Sequence, residues 1–581
     1  MSFVAPTQEQ LLALKICAGI DELAANPRFA DATADVVAAI VEGVGSFAEG
    51  EFAPLSRIGD TQGARMVDGE VHLPDGYRQA YQAYVAAGWN SIAGPVEFGG
   101  QGLPFALSCA VMENLGSANM AFALLPVLTV GAIESLLHHG SAAQQALYLP
   151  KLIGGEWSGT MNLTEPQAGS DVGALRTSAT LIESGEFAGK YKIKGTKIFI
   201  SWGEHDLAEN IIHLVLARTP GAPAGSRGIS LFIVPRFHVG GDGVLGAKND
   251  LRAVSLEHKL GIHASPTCVM SYGDDDNCIG ELIGFENEGL KAMFTMMNNA
   301  RIFVGAQGLE VAEAAWQKAR LFARERVQSA RAGAADKAPV AIVEHPDVRR
   351  MLLRMRALTE GARGLLYYTA GQVDRGALGD DAAQMRADLL VPLLKSWGTD
   401  IGCEVASLGV QIHGGMGFIE ETGAARYYRD ARITPIYEGT NGIQAADLVT
   451  RKLGYENGGV LTALMAEISR DARDEPALAA LATDCTAIGR WMLDGATLDD
   501  KLAGSVPYQT MCAVAVVGWQ LLRQARSVVE MADSAPVMAK TKPVVARYFL
   551  DHLIPEAAGL KAAALAGAGL LYALDAEMLA G

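Results

Sequence analysis

Several features that mark common classes of protein are missing from this 581-residue chain. Its seven cysteines are scattered and form no Cys-x-x-Cys pair, so we expect reduced thiols and no metal site. The longest largely apolar, uncharged runs, 120–133 and 562–574, are shorter than the ~20 residues that cross a bilayer. The first residues have neither a basic segment nor a clean apolar core, so no signal peptide is predicted. We therefore expect a cytoplasmic protein without stable membrane insertion.

Basic clusters are also missing. The chain has 48 Lys and Arg against 65 Asp and Glu, a net charge of −17 and a pI of about 5.2. Because contact with phosphates needs clustered Lys and Arg, this balance argues against nucleic acid as a partner. No internal repeat is visible, and the length is enough for three or four packed units of roughly 150 residues.

Four stretches with different residue patterns predict an α+β protein with four domains. Apolar residues recur at helical spacing in 1–160, short β-branched runs separated by turns fill 161–280, and long helical patterns return in 281–455. The last stretch, 456–581, is Ala-rich and mostly helical. Within these domains we predict helices at 8–22, 35–49, 289–327, 344–374, 380–412 and 441–453, and strands at 191–201, 211–216 and 229–234.

The densest pattern lies in 411–444, which contains Tyr437-Glu438-Gly439-Thr440. Glu438 follows an apolar and an aromatic residue, and the nearest acid is eight positions back. A carboxyl group in an apolar pocket has a raised pKa, closer to the range of a general base. Gly439 lets the backbone approach a flat or charged ligand. From the residues alone, a catalytic base and a surface turn both remain open.

This stretch resembles the signature of the acyl-CoA dehydrogenase family, Gln-x-x-Gly-Gly-x-Gly followed by Arg-Asp and Tyr-Glu-Gly-Thr. The resemblance implies an N-terminal helical domain, a middle β-barrel domain, a C-terminal four-helix bundle and, here, an extra helical C-terminal domain. It implies FAD as cofactor and an acyl-CoA substrate that is oxidised to the trans-2-enoyl-CoA. Glu438 would remove the α-proton, and FAD N5 would take the β-hydride. Electrons would then pass to an electron-transfer flavoprotein.

The run 161–171 closely matches the family motif Thr-Glu-Pro-x-Ala-Gly-Ser-Asp, although an isolated loop of this composition carries no function. The match implies flavin contacts from Met161, Leu163 and Thr164. It also places Gly169 and Ser170 near the flavin pyrophosphate and the substrate.

The run 195–203 alternates like a strand, with Phe199 and Ser201 on one face. From spacing alone this is a strand with a core aromatic. The resemblance implies that Phe199 stands where relatives usually have Trp, and that the Ser201 hydroxyl contacts flavin N5.

Two residues of the helical stretch 281–455 match positions that border the substrate in the family. Asn298 and Arg301 fall where the family borders the thioester, although a lone Arg in a helix usually forms a surface ion pair. Some relatives supply their base from the position of Ala300, which cannot titrate. Glu438 is thus the only base that matches a motif, with Gly439 beside it at the substrate.

A further set of matches concerns the adenosine diphosphate half of FAD. The resemblance places Arg326 on the flavin pyrophosphate of a partner subunit, although Val327 replaces the usual aromatic. It implies that Gln411, Gly414 and Gly415 wrap the same half across a dimer interface, and that Thr440 and Asn441 lie near the flavin. The glycines are not a Rossmann fingerprint, because no strand precedes them.

The runs 257–267, 296–301 and 344–348 resemble the long subfamily with a helical C-terminal extension. That subfamily includes 3-(methylthio)propanoyl-CoA dehydrogenases and dehydrogenases of longer acyl chains, so either substrate class is open. An extra domain can occupy the surface that makes the second dimer contact in shorter relatives. We therefore predict a homodimer.

Three other functions remain open. An acyl-CoA oxidase would pass electrons to O₂, and sequence separates it poorly from a dehydrogenase. A DNA-associated flavoprotein of the alkylation-response type carries a basic C-terminal region, whereas 456–581 has 10 Lys and Arg against 15 Asp and Glu, a difference of −5. A catalytically inactive scaffold is disfavoured by the intact Glu438 and flavin motifs.

Overall fold

The computed structural model describes residues 3–531 and 535–581. Its first part is helical, as predicted, with a short hairpin (β1 and β2) that the sequence did not indicate. A left-handed Gly19 (φ 72°) ends the first predicted helix early, after a π-helical turn. The elements are α1 Thr7–Ala13, α2 Ile20–Ala24, α3 Ala34–Phe47, α4 Ala53–Gln62, β1 Arg65–Val67, β2 Glu70–His72, α5 Tyr77–Ala86, α6 Phe105–His139 and α7 Ala142–Ile153.

The middle part is a sheet domain, and the three predicted strands are present as β5, β6 and β7. Its strands are β3 Trp157–Asn162, β4 Ser178–Leu181, β5 Tyr191–Ser201, β6 Asn210–Ala217, β7 Ser230–Pro235, β8 Phe237–Val239, β9 Leu245–Lys248, β10 Leu251–Leu256, β11 Thr267–Tyr272 and β12 Ile279–Ile283. Eight of them form one sheet in the order β10-β11-β5-β12-β7-β6-β3, with β4 paired to β5. The pairs are antiparallel except for β3 with β6, which is parallel. The sequence did not indicate β3, because Trp157, Ser158 and Gly159 carry no β-branched side chains.

The third part returns to helices, and all four helices predicted there are present within a few residues. They are α8 Gly289–Glu325, α9 Pro346–Ala377, α10 Asp381–His413 and α12 Asn441–Thr450, with the short α11 Ala424–Ala431 between the last two. The extension follows as α13 Gly459–Asp471, α14 Pro476–Asp494, α15 Leu498–Ser527, α16 Pro536–Tyr548, α17 Ile554–Ala558, α18 Lys561–Ala564 and α19 Ala576–Ala580. Helix α15 packs on α9, α10 and α12.

Helices α8 and α10 pack closely through glycines. A Cβ added to Gly308 would lie 1.9 Å from the Gly398 carbonyl oxygen, and one added to Gly402 would lie 2.7 Å from the Gly308 Cα. Farther along, Phe322 stacks on His413 at 4.4 Å between ring centroids. Residues later in α8 contact residues later in α10. The two helices therefore run parallel and end at the same side of the molecule.

Helix α6 is long and apolar enough to span a membrane by length and composition, yet 78% of its most apolar window is buried inside the protein. It packs against α8 on one side and β3 on the other. It is therefore a central core helix, where the helical and sheet domains meet.

Candidate active site

A cavity of about 270 Å³ lies where the sheet domain faces α8 and the segment before α12. Ten residues singled out in the sequence line it: Met161, Leu163, Thr164, Gly169, Ser170, Phe199, Ser201, Arg301, Glu438 and Gly439. Seven lining residues were not predicted, and all are apolar: Leu128, Val172, Ile200, Leu290, Phe294, Met297 and Ile443. Matches from four separate stretches of sequence thus converge on one space.

A tight turn presents Glu438 to this cavity. Glu438 itself has φ 58°, a left-handed conformation that is uncommon for a residue other than glycine, and Gly439 follows with φ 87°. The Asn441 N–H donates to the Pro435 carbonyl at 3.0 Å and closes the turn. The Thr440 hydroxyl accepts from the Ile443 N–H at 3.2 Å and caps α12.

The electrostatics around Glu438 combine desolvation with two nearby cations. Burial raises the pKa of the Glu438 carboxyl above its ordinary value, whereas the charges of Arg301 and Lys395 act to lower that pKa. The Arg301 Nε donates to the Glu438 carbonyl at 3.2 Å, and Arg301 is itself buried. The raised pKa brings this carboxyl group closer to the range that suits a general base.

Lys395, on α10, is a functional candidate that sequence reasoning missed. Its side chain is fully buried, and its Nζ donates to Asn441 Oδ1 at 2.9 Å. The Asn441 amide in turn donates to Asp400 at 2.8 Å and to the Thr399 hydroxyl at 3.0 Å. Burial lowers the pKa of Lys395 to about 8. This network fixes the end of the Glu438 turn to α10.

On the opposite wall, a buried ion pair holds the loop after β3 against β5. The Lys197 Nζ donates to Glu165 at 2.8 Å and to the Leu163 carbonyl at 3.0 Å, and both charged side chains are almost fully buried. Glu165 also accepts from the Thr177 N–H and hydroxyl. Burial alone would raise the pKa of Glu165, but Lys197 and these hydrogen bonds lower it to about 2. The pair fixes the backbone on which Leu163 and Thr164 reach the cavity.

Phe199 reaches the cavity because the strand is irregular at that point. The β5–β11 register shifts between Cys268 and Met270, and Phe199 has φ 60°. Bulges commonly redirect a side chain beside an active site. Phe199 is 59% exposed, which leaves an aromatic surface open to a flat ligand. The Ser201 carbonyl accepts from the Thr160 hydroxyl at 2.8 Å. The Ser201 hydroxyl has no hydrogen-bond partner within the described residues.

Three predicted residues lie close to the cavity without lining it. Asn298 accepts from Arg301 Nη1 at 3.3 Å, so it supports that guanidinium. Thr440 caps α12, and Asn441 turns toward α10. For these last two residues, direct contact with a flavin stays a prediction.

Four others lie elsewhere, on exposed surface at the shared end of α8 and α10: Arg326, Gln411, Gly414 and Gly415. Arg301 and Arg326 are 25 positions apart along α8 and its C-cap, which corresponds to about 37 Å at 1.5 Å per residue. The exposed set therefore lies at the other end of α8 from the cavity of the same chain.

No group of three or more His, Cys, Asp or Glu side chains suited to a metal ion occurs in 3–531 or 535–581. The cavity instead offers hydroxyl groups from Thr164, Ser170 and Ser201 beside the Phe199 ring, and a Cβ added to Gly169 would meet no atom within 4 Å. Hydroxyl donors around an open, partly apolar space suit a flat, polar-edged ring such as isoalloxazine.

Comparison with known families covers nearly the whole chain. A model described as "Acyl-CoA dehydrogenase, N-terminal domain" matches residues 37–156, one for the middle domain matches 160–274, and one for the C-terminal domain matches 287–453. A fourth, "Acetyl-CoA dehydrogenase C-terminal like", matches 453–575. The extension is thus itself a recognised part of such proteins.

Individual relatives agree with these matches. The 3-methylmercaptopropionyl-CoA dehydrogenase of Ruegeria pomeroyi is 48% identical over 538 residues, which are 90% of each chain. ACDH-11 of Caenorhabditis elegans, solved in complex with C11-CoA, has a TM-score of 0.78 at 21% identity, covering 95% of this chain and 92% of that one. An acyl-CoA dehydrogenase of Bacillus anthracis, solved with FAD, has a TM-score of 0.75 at 20% identity, with 94% and 90% covered. The two structures show the same fold.

Proposed function

This chain belongs to the acyl-CoA dehydrogenase family, and from that premise we propose that Glu438 is the base that removes the α-proton of an acyl-CoA. The chain is an FAD-dependent acyl-CoA dehydrogenase. The observation that carries the assignment of the base is the convergence of Glu438 with the matched 161–170 and 199–201 segments on one cavity. No other acidic side chain lines that cavity within the described residues.

FAD suits the wall of this cavity opposite Glu438. Met161 from β3, Leu163 and Thr164 from the loop after β3, and Phe199 and Ser201 from β5 would hold the ring. Bound FAD supplies the acceptor for the hydride that leaves the substrate's β-carbon, which no side chain can provide. The protein residues bind and orient both molecules and exclude water.

Proton removal requires stabilisation of the negative charge that develops on the thioester oxygen. The Glu438 backbone N–H makes no hydrogen bond within the described residues, so it is available as one donor beside the reacting carbon. Loss of such a donor typically costs 10²–10³ in rate. Arg301 fixes the Glu438 carbonyl, which sets the direction of the turn that carries both the carboxylate and this N–H.

We propose 3-(methylthio)propanoyl-CoA as the substrate, with fatty acyl-CoA as the second candidate. The Ruegeria relative, named for the same thioether acid, supports the first. The cavity wall of Leu128, Phe294, Met297 and Ile443 suits either an apolar chain or a thioether, since sulfur packs well against aromatic and sulfur-containing side chains. A panel of acyl-CoAs of graded length, mixed anaerobically with the enzyme, tests this choice of substrate. The readout is bleaching of the flavin absorbance. The thioether substrate should give the highest kcat/KM; preference for a long fatty acyl-CoA would overturn this assignment.

The electron acceptor is proposed to be an electron-transfer flavoprotein, which the family resemblance implies. An oxidase would use O₂ instead. Stopped-flow mixing of substrate-reduced enzyme with air-saturated buffer separates the two. Slow reoxidation by air together with fast reoxidation by the flavoprotein is expected, and fast reoxidation by air would favour the oxidase.

We also propose that the enzyme acts as a homodimer. Arg326 lies about 37 Å along α8 from Arg301, which lines the cavity of the same chain, and Gln411, Gly414 and Gly415 lie at the same end of the α8–α10 pair as Arg326. A second chain can bring its exposed set to the first chain's cavity, which makes each site a product of two subunits.

A cytoplasmic location is proposed as well. All seven cysteines are free thiols, and six of them are buried. Unpaired cysteines in this number are typical of proteins kept in a reducing compartment.

A further inference from the structure

A second, larger cavity shares no lining residue with the Glu438 cavity and lies between the helical domain and the C-terminal extension. Its volume is about 480 Å³, within the range of small-molecule sites. Its walls come from α9, α10, α13, α15 and the N-terminal segment around Cys17. Two aromatic side chains, Tyr368 and Trp519, meet edge to face at 5.4 Å and form an apolar corner.

The acidic groups of this cavity are already satisfied. Glu467 accepts from Arg386 at 2.8 Å, and Glu22 accepts from Arg375 at 2.9 Å. Asp471 accepts from the Trp519 indole N–H at 3.1 Å. The fourth acid, Asp380, is the N-cap residue of α10 and accepts from the Ala383 N–H at 3.0 Å. These carboxylates hold the walls together, and their four charges are matched by the four cationic side chains of the lining, Lys15, Arg375, Arg386 and Arg523.

Two polar groups of the walls are not satisfied. Gln372, on α9, is only 7% exposed and lines the cavity, yet its amide makes no hydrogen bond within the described residues. The two amide atoms are not enclosed by protein, so they face the open cavity and are available to a ligand. The Arg523 guanidinium, on α15, lies over the Trp519 ring at 5.2 Å and donates only to the neutral Gln520 at 3.0 Å. Among the residues that the structure describes, no carboxylate lies within 4 Å of it.

Arg386 adds donors beside these two groups. It uses a single nitrogen, Nη1, for both Tyr368 and Glu467, so its Nε and Nη2 groups have no partner in the described structure. The cavity thus combines an unpaired guanidinium, spare N–H donors, an unsatisfied amide and an aromatic corner. Arginine forks of this kind recognise carboxylate and phosphate oxygens.

We propose that this cavity is a binding site for a small anionic molecule, with Arg523 as the main contact for its carboxylate or phosphate group and Gln372 as a second hydrogen-bonding partner. The ligand bridges α9 and α10 of the helical domain to α15 of the extension. Its binding stabilises the docking of the extension on the domain that carries Glu438.

Calorimetric titration of the holoenzyme with phosphate, citrate and AMP at constant ionic strength tests the proposal. At least one of the three should bind with saturation at one site per chain, and which one binds separates a phosphate from a carboxylate ligand. Arg523→Met should weaken that binding at least about tenfold, since it removes a charged donor. Gln372→Leu should weaken it by a smaller factor.

Arg490→Met is the matched control, because Arg490 is an exposed arginine of α14 paired with Asp494 outside the cavity. Binding to this variant should equal that of the wild type. Absence of saturable binding by all three probes up to about 10 mM would overturn the proposal. Equal weakening in R490M and R523M would overturn it too, because general surface charge would then explain the affinity. If R523M fails to fold, Q372L decides by itself.

Discussion

At the scale of single residues, the chemistry depends on the buried carboxyl group of Glu438 and on two cations near it, Arg301 on α8 and Lys395 on α10. Burial of Glu438 favours its protonated form, and Arg301 and Lys395 favour its ionised form. The balance sets the pH at which the base becomes available. The Asp400 carboxylate accepts a hydrogen bond from Asn441, and its charge acts to raise the pKa of Lys395. Asp400 therefore helps to keep Lys395 charged beside Glu438.

Replacing Lys395 with methionine tests this balance. Without the ammonium group, the pKa of Glu438 should rise further, because burial is then opposed by Arg301 alone. The base must be ionised, so the acidic limb of kcat/KM against pH should move up by about one unit. Lys395→Arg keeps the charge and should leave the limb near its wild-type position. An unmoved limb in K395M, with FAD content and melting temperature intact, would refute the role of Lys395.

The sequence could point to Glu438 but not to Lys395, and the reason is physical. Glu438 stands in a short motif whose neighbours in sequence are also its neighbours in space. Lys395 lies 43 positions earlier, inside an apolar helical pattern where a lone lysine is ordinarily solvent-facing. Only the packing of α10 behind the turn brings its Nζ to Asn441.

At the scale of elements, the flavin-facing wall is held by the Glu165–Lys197 pair between the loop after β3 and β5. Breaking a buried pair from one side typically costs 3–5 kcal/mol, because the remaining charge is left without its partner. Glu165→Gln should therefore lower both the melting temperature of the FAD-free protein and the affinity for FAD.

A double-mutant cycle makes that prediction specific. E165Q combined with Lys197→Met removes both charges, so the double variant should be more stable than the sum of the two single losses predicts. Strict additivity of the melting-temperature losses would contradict a direct coupling. The pH dependence has a definite sign: the lowered pKa of Glu165, about 2, means that its stabilisation is present above pH ~4.5 and is lost as the pH falls toward 2.

The close approach of α8 and α10 makes a second prediction at this scale. Gly308→Ala would place a methyl group 1.9 Å from the Gly398 carbonyl oxygen, so the helices must separate. Overpacking of this kind costs about 1–3 kcal/mol and should lower the melting temperature by about 3 °C or more. Gly50→Ala is the control, since its Cβ would meet no atom within 4 Å. Equal melting temperatures for G308A and G50A would contradict the close packing.

Strand prediction succeeded where β-branched residues are frequent, as in the fully buried β6 and β7, and failed at β3, where they are sparse. β5, Tyr191–Ser201, was predicted with its observed bounds because β-branched and polar residues alternate along it. β3 was missed because Trp157, Ser158 and Gly159 carry neither alternation nor β-branched side chains. The bulge that turns Phe199 toward the cavity depends on the pairing with β11, which a single strand's sequence does not contain.

At the scale of the whole molecule, the separation between the cavity and the Arg326 surface predicts a shared site. Light scattering after gel filtration should give the mass of two chains, about twice 61.2 kDa. A tetramer or a monomer would contradict the predicted assembly.

Hybrid dimers test the sharing directly. Glu438→Gln and Arg326→Met homodimers should each be impaired, the first in proton removal and the second in FAD content. A hybrid with one chain of each type regains one intact site if Arg326 acts on the partner's cavity, and should show about half of the wild-type activity. If Arg326 serves its own chain, the hybrid contains no intact site and should regain nothing.

Removal of the substrate's α-proton by the Glu438 carboxyl group is measured by anaerobic bleaching of the flavin with an acyl-CoA. Glu438→Gln preserves shape and should preserve FAD content, while Glu421→Gln changes an exposed acid outside the cavity and is the control. E438Q should bleach at least about 10³-fold more slowly than wild type, and E421Q should bleach at the wild-type rate. Bleaching of E438Q at the wild-type rate would contradict proton removal by Glu438.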